Sequence, residues 1–174
     1  MAAALMSWFV VNVRDTEWLT SEGGELQSSG AECTFEPADA EFEQLGIRIH
    51  VLPPGEPNGC YHAESKQEDF LVLSGECTLL VEGEERRLRQ WDFFHSPPGT
   101  EHVFVGAADE PCVIFMVGAR GDDWHVRFPV SELAARYGAS VEREATSPRE
   151  AYAGRFEPSR RERPSYWGGL PWAS

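Results

Sequence analysis

The chain has 174 residues, of which 41% are hydrophobic, 25% charged and 11% aromatic, enough for one ordinary domain with a sizeable core. Its 29 acidic against 15 basic residues give a formal charge of −14, which argues against a nucleic-acid or anionic-membrane partner. No apolar run approaches the ~20 residues that a membrane-spanning helix needs. The charge is uneven: residues 1–142 carry 25 acids and 9 bases, whereas 143–174 carry 4 acids and 6 bases.

The start, Met1-Ala-Ala-Ala-Leu-Met-Ser-Trp-Phe-Val-Val, lacks the basic stretch of a secretory signal, and a cytoplasmic protein is expected. The alternation that follows predicts a first strand over Trp8–Val13. Further short runs rich in Val, Ile, Leu and Phe, closed by Gly, Pro, Asp or Asn, predict strands over Cys33–Glu36, Gly46–Leu52, Asp69–Leu73, Glu76–Glu82, Glu85–Leu88, Phe93–Ser96, His102–Gly106 and Pro111–Gly118. Within the third of these runs Ile47, Ile49 and Val51 alternate with Arg48, His50 and Leu52, so that strand has two unlike faces. Many short strands without a long helix between them point to an antiparallel sandwich or barrel.

After Pro129 the pattern changes. Val130–Gly138 reads as a short helix, and Ser147–Gly154 as another, with a capping Ser, a Pro in the first turn and a terminal Gly. The last stretch, Arg155–Ser174, carries Phe156, Tyr166, Trp167 and Trp172 and is too aromatic for a solvated tail. It is expected to wrap the barrel or a neighbouring subunit, or to close over a ligand. The expected organisation is a β-barrel domain over residues 1–128 and a helical and aromatic extension over 129–174. Cys33, Cys60, Cys77 and Cys112 show no C-x-x-C spacing and read as buried, reduced thiols.

The chemistry concentrates at His62, Glu64 and Glu68, within seven residues, and at His102, which follows Pro97-Pro-Gly-Thr-Glu. Residues two apart on a strand share a face, so His62 and Glu64 can project together and Glu68 can return from the next strand. His102 needs a turn to aim it at the same point. Two imidazoles with one or two carboxylates suit a divalent Fe, Mn, Zn, Ni or Co and disfavour soft Cu(I).

These residues resemble the two motifs of the cupin superfamily. His62-Ala-Glu64-Ser-Lys-Gln-Glu68 with Gly75 follows the first motif's spacing, with Glu64 where the family has a second histidine, and Pro97-Pro98-Gly99-Thr-Glu-His102 meets the second. Trp91 stands where the family usually has a glycine, followed by Asp92 as in the family, and Gly106 stands where it has an asparagine. The resemblance spans about residues 45–118. It implies an all-β, antiparallel jelly-roll barrel, a homodimer, and metal ligation by His62, Glu68 and His102. Glu64, which strand alternation points inward, is expected to join them as a fourth ligand; the alternative is that it turns away and leaves a two-His, one-carboxylate face.

Arg48, His50, Phe70, Phe104 and Met116 are candidates to line a substrate pocket, although core packing and ordinary ion pairs compete for each of them. His95 and His125 read as structural. The expected function is that of a metal-binding barrel for a small polar metabolite, either an oxygenase or isomerase or a non-catalytic binding or storage module. A barrel without metal is the remaining possibility. Fold alone does not choose among them.

Overall fold

The computed structural model describes residues 8–20, 30–36, 41–107, 109–154 and 160–173. Its strands are β1 (Trp18–Thr20), β2 (Ala31–Thr34), β3 (Leu45–Leu52), β4 (Ala63–Glu64), β5 (Glu68–Ser74), β6 (Glu76–Val81), β7 (Glu84–Arg89), β8 (Phe93–Ser96), β9 (His102–Gly106), β10 (Cys112–Ala119), β11 (Val126–Arg127) and β12 (Arg160–Arg161). They form a seven-stranded sheet in the order β12-β1-β2-β3-β10-β5-β8, a three-stranded sheet β7-β6-β9 and a two-stranded pair β11-β4. This is the all-β antiparallel jelly roll expected from the strand spacing and the motifs.

The interior lies between the two larger sheets. Leu52, Phe70, Val72, Ile114 and Met116 from the large sheet meet Cys77, Leu79 and Phe104 from the smaller one. The alternate residues of the same strands face away, and here they are buried as well. Ile49, Val51 and Val113 lie under Trp18 and Leu170, with Trp167 and Trp172 packed against the same cluster. Trp18 meets Trp167 edge-on at 5.4 Å and stacks on Trp172 at 5.3 Å between ring centroids. The aromatic tail therefore wraps the back of the large sheet. Phe156 lies outside the described residues.

The two predicted helices are present as single turns, α1 (Glu132–Ala135) and α2 (Pro148–Ala151), and in each a serine hydroxyl, Ser131 or Ser147, accepts the N–H three residues on. Ala134 of α1 packs on Leu80, Val103 and Val105, the outward face of the small sheet. Ala151 of α2 packs with Cys60, Val126, Phe128 and Val141.

The strand expected over Trp8–Val13 is not formed. Residues 8–12 have no regular structure, Val13–Asp15 is a 3-10 turn capped by Asn12, and pairing begins at Trp18. Trp8 and Val10 are 87% and 90% exposed, so alternation there has no apolar surface to meet. At Trp91 the family's glycine is gone while the geometry that favours it remains: its φ is +73°, a conformation that strains a residue with a side chain by about 1–3 kcal/mol. The Trp91 N–H donates to Val72 O, and the Val72 N–H to Asp92 O, which pins the turn.

Gly106 closes β9 against the loop after β3. Its N–H donates to Glu56 O, its carbonyl accepts from Gly55, and a Cβ there would lie 1.9 Å from Pro53 O. Gly106→Ala is expected to lower the unfolding free energy by about 2–3 kcal/mol in urea titrations. Gly169→Ala, with nothing within 4 Å of the added Cβ, should leave it within about 0.5 kcal/mol of the parent.

Candidate metal centre and its cavity

His62 and His102 are placed by each other's backbone. They form an antiparallel bridge in which the His62 N–H donates to His102 O at 3.1 Å and the His102 N–H to His62 O at 2.8 Å. Two residues paired in this way project to the same side, and the ring centroids are 5.0 Å apart. Glu68 arrives as the first residue of β5, where the register sets it between Ser96 of β8 and Gly118 of β10.

The ring orientations are set as well. His62 Nδ1 lies 2.8 Å from Cys60 O, and His102 Nδ1 lies 3.0 Å from Thr100 O. A carbonyl only accepts, so Nδ1 carries the proton in each ring and the Nε2 lone pair is left for a ligand. Phe70 and Phe94 meet the His102 ring edge-on at 5.2 and 5.6 Å and shut it off from water.

One donor atom from each of His62, Glu68 and His102 lies within 4.8 Å of the others. His102 Nε2 is 3.5 Å from Glu68 Oε2, and that oxygen is buried without a hydrogen-bond partner. Burial, and then the nearby Glu64, pushes the Glu68 carboxyl up to about 8. Burial, and then His62, holds His102 down at about 3, and burial lowers His62 in the same sense. The shifts share a cause, the cost of holding charge away from water, and a divalent cation would offset it. Two neutral imidazoles and a carboxylate with one oxygen unclaimed could hold such an ion.

Glu64, on β4, stands apart from the converging donors. Its Oε2 accepts the Trp124 indole N–H at 2.7 Å. It nevertheless lines the same cavity, of about 580 Å³, together with Arg48, Phe70, Met116, Phe128 and Tyr152. Three of the five candidate pocket residues thus reach the cavity. Phe104 is instead fully buried in the barrel interior, and His50 is turned toward Glu32, with His50 Nδ1 3.7 Å from Glu32 Oε2. His95 and His125 are exposed and engage Asp69 and the Asp123 carbonyl.

Trp124, Phe128 and Tyr152 were not readable as cavity residues. Tyr152 accepts the N–H of Cys60, 92 residues earlier in the chain, and no local pattern announces a contact of that range. The Glu-Trp pair likewise spans 60 residues.

Residues 48–118 match the family model described as a cupin domain. This chain carries a cupin domain. No curated protein matches its sequence. Among solved structures, a sugar phosphate isomerase of the cupin superfamily from Silicibacter pomeroyi is 16% identical with a TM-score of 0.61, over 85% of this chain and 99% of that one. The polyketide cyclase RemF from Streptomyces resistomycificus is 12% identical with a TM-score of 0.57, over 96% of both chains. A structure from Acidithiobacillus ferrooxidans is 26% identical with a TM-score of 0.49, and the match spans 55% of this chain but only 64% of that one. At such identities the first two likenesses speak for the cupin fold alone. Among the described residues no helix is long and apolar enough to cross a membrane.

Beside the cupin centre, on the same face of the large sheet, Glu32 sits between Arg48 and His50. Interaction with His50, opposed by burial and aided by Arg48, holds the Glu32 carboxyl down at about 2, against 4.5 for the free group. A carboxyl lowered on folding contributes its stability above the ordinary carboxylate range and loses it as pH falls toward the folded value. Between pH 5 and pH 3 this group is expected to remove about 1–2 kcal/mol of unfolding free energy. Glu32→Gln should lack that component when urea titrations are compared at the two pH values.

Proposed function

We propose that this protein is a metal-dependent enzyme acting on a small polar metabolite by proton transfer, of the isomerase type. One divalent Fe, Mn, Zn, Ni or Co would be held by His62, Glu68 and His102. The observation that carries the reading is Glu68 Oε2: buried, without a hydrogen-bond donor among the described residues, and 3.5 Å from His102 Nε2. With each Nδ1 protonated, an ionised Oε2 and the Nε2 lone pair would face one another as two acceptors; the carboxyl raised to about 8 holds a proton there instead, and a divalent cation would take that proton's place.

Such an ion supplies Lewis-acid polarisation of a ligand oxygen. The protein's own groups supply the rest. Glu64 lines the cavity outside the donor trio, so its carboxylate is placed to take a proton from a bound ligand while Trp124 orients it. Tyr152, pushed up to about 12 chiefly by burial, keeps its proton at neutral pH and faces the same space. Phe70, Phe128 and Met116 supply apolar walls that restrict water. The proposal extends to a cytoplasmic location, in keeping with four buried thiols, and to a homodimer.

The first test is metal analysis of protein purified without chelator, with about one equivalent of a divalent metal expected. Glu68→Gln and His102→Ala should each weaken Mn²⁺ binding by about 100-fold or more. Adding Mn²⁺ at about 100 times its Kd should raise the unfolding free energy of the parent by about 2.7 kcal/mol. Substoichiometric metal together with no stabilisation by added Mn²⁺ would overturn the reading. Stoichiometric metal and ligand binding without any product would mark a binding or storage module instead.

A further inference from the structure

The cavity belongs to an acidic chain, yet two cations line it, Arg48 and Arg120. They are used differently. Arg120 is taken up by the protein: its Nη1 and Nη2 donate to both carboxylate oxygens of Glu36, and Nη1 also to Phe42 O. Arg48 makes one charged contact among the described residues, from Nη1 to Glu32 Oε2 at 3.3 Å. One arm of its fork is tethered while Nε and Nη2 retain donors, the geometry that grips a carboxylate or phosphate through two oxygens.

The sheet register places this fork relative to the metal trio. Arg48, Met116 and Phe70 are cross-strand neighbours on β3, β10 and β5, and the next inward-facing row holds Gly46, Gly118 and Glu68. Two of the three positions in that second row have no side chain. At Gly118 the floor is open toward Glu68, whereas the Arg120 guanidinium lies over Gly46, its Nε and Nη2 3.3 Å from where a Cβ would stand. Arg48 and Glu68 are two strands and two residues apart, about 12 Å of backbone. Side chains reaching in from both ends shorten this to the length of a molecule of a few carbons. With its side chain 48% exposed, the Arg48 fork is within reach of a ligand entering the cavity, and a pair of anionic oxygens fits the donors that Glu32 leaves.

We infer that Arg48, tethered by Glu32, is an anion-holding residue of this cavity, and that the ligand is a small organic anion. Its carboxylate or phosphate lies on Arg48, and its hydroxyl or carbonyl oxygen, a few bonds away, reaches the metal trio. Glu32 acts as a positioning residue: it fixes one arm of the guanidinium and is itself fixed from the other side by His50. The inference rests on the metal reading proposed above and adds to it the charge and length of the ligand.

The test uses the full chain loaded with Mn²⁺ and two matched probes, glycerol 3-phosphate and glycerol, which share a diol and differ by the anion. Glutarate serves as a carboxylate probe and distinguishes the two anion types. Binding is followed by calorimetry and by the water-proton relaxation of the bound Mn²⁺. The parent should prefer an anionic probe to glycerol, and the preference should weaken as salt is raised. Arg48→Gln should weaken the anionic probe by roughly 10- to 100-fold with Mn²⁺ still bound at saturation. Arg48→Lys, which keeps the charge and loses the fork, should fall between them, and Glu32→Gln should weaken the anion with Arg48 still present.

No preference of the Mn²⁺-loaded parent for either anion over glycerol would overturn the inference. So would an Arg48→Gln variant that is folded by circular dichroism, binds Mn²⁺ normally and holds the anion as tightly as the parent. Failure of the parent to bind Mn²⁺ at all strikes the metal reading instead, so the two failures are separable.

Discussion

A carboxylate oxygen that is buried, unpartnered and opposite an imidazole lone pair does not stay ionised alone in a low-dielectric interior: it takes a proton or a cation. The surroundings of Glu68 are organised around that constraint. The backbone bridge between His62 and His102 fixes where two imidazoles emerge, and the carbonyls of Cys60 and Thr100 fix which nitrogen of each faces inward. The rings of Phe70 and Phe94 then remove water from around His102. Burial raises the cost of charge in the site, the two carbonyls partly offset it at the imidazoles, and a cation would offset it at the carboxylate.

Holding such a site requires a rigid frame, and the frame is a sheet with apolar cover on both faces. The barrel interior packs one face of the large sheet, while Trp18, Leu170 and the tail tryptophans pack the other. Residues that follow the cupin match also close the site: Phe128 and Tyr152 line a cavity whose converging donors, His62, Glu68 and His102, come from within it. Structure and chemistry are coupled at Tyr152, which packs with the cluster that anchors α2 and also faces the cavity.

The charge of −14 acquires a different meaning in this setting. Glu64 and Glu68 belong to the cavity, and Glu32 and Glu36 are occupied with Arg48 and Arg120. Part of the acidity is thus turned toward the cavity or paired with its arginines.

Strand order along the chain was legible in the sequence because period-2 alternation and turn residues are local signals. Phe93–Ser96 and His102–Gly106 have the bounds that alternation predicts, and most other predicted strands are displaced by only one or two residues. His62, Glu68 and His102 were legible because they sit on motifs with fixed spacing. Three things were not. The Trp8–Val13 alternation implied a strand, but a strand needs a partner and a surface to bury, and neither is local. The side chain of Glu64 shares a cavity with the trio yet turns to Trp124, 60 residues away. His50 shares the interior-facing side of its strand with Arg48 and Leu52, as the alternation implies, but Glu32 on the neighbouring strand claims it and leaves Arg48 at the cavity. Periodicity decides which face a residue occupies, whereas its partner on that face depends on contacts between distant segments, and only the tertiary structure supplies those.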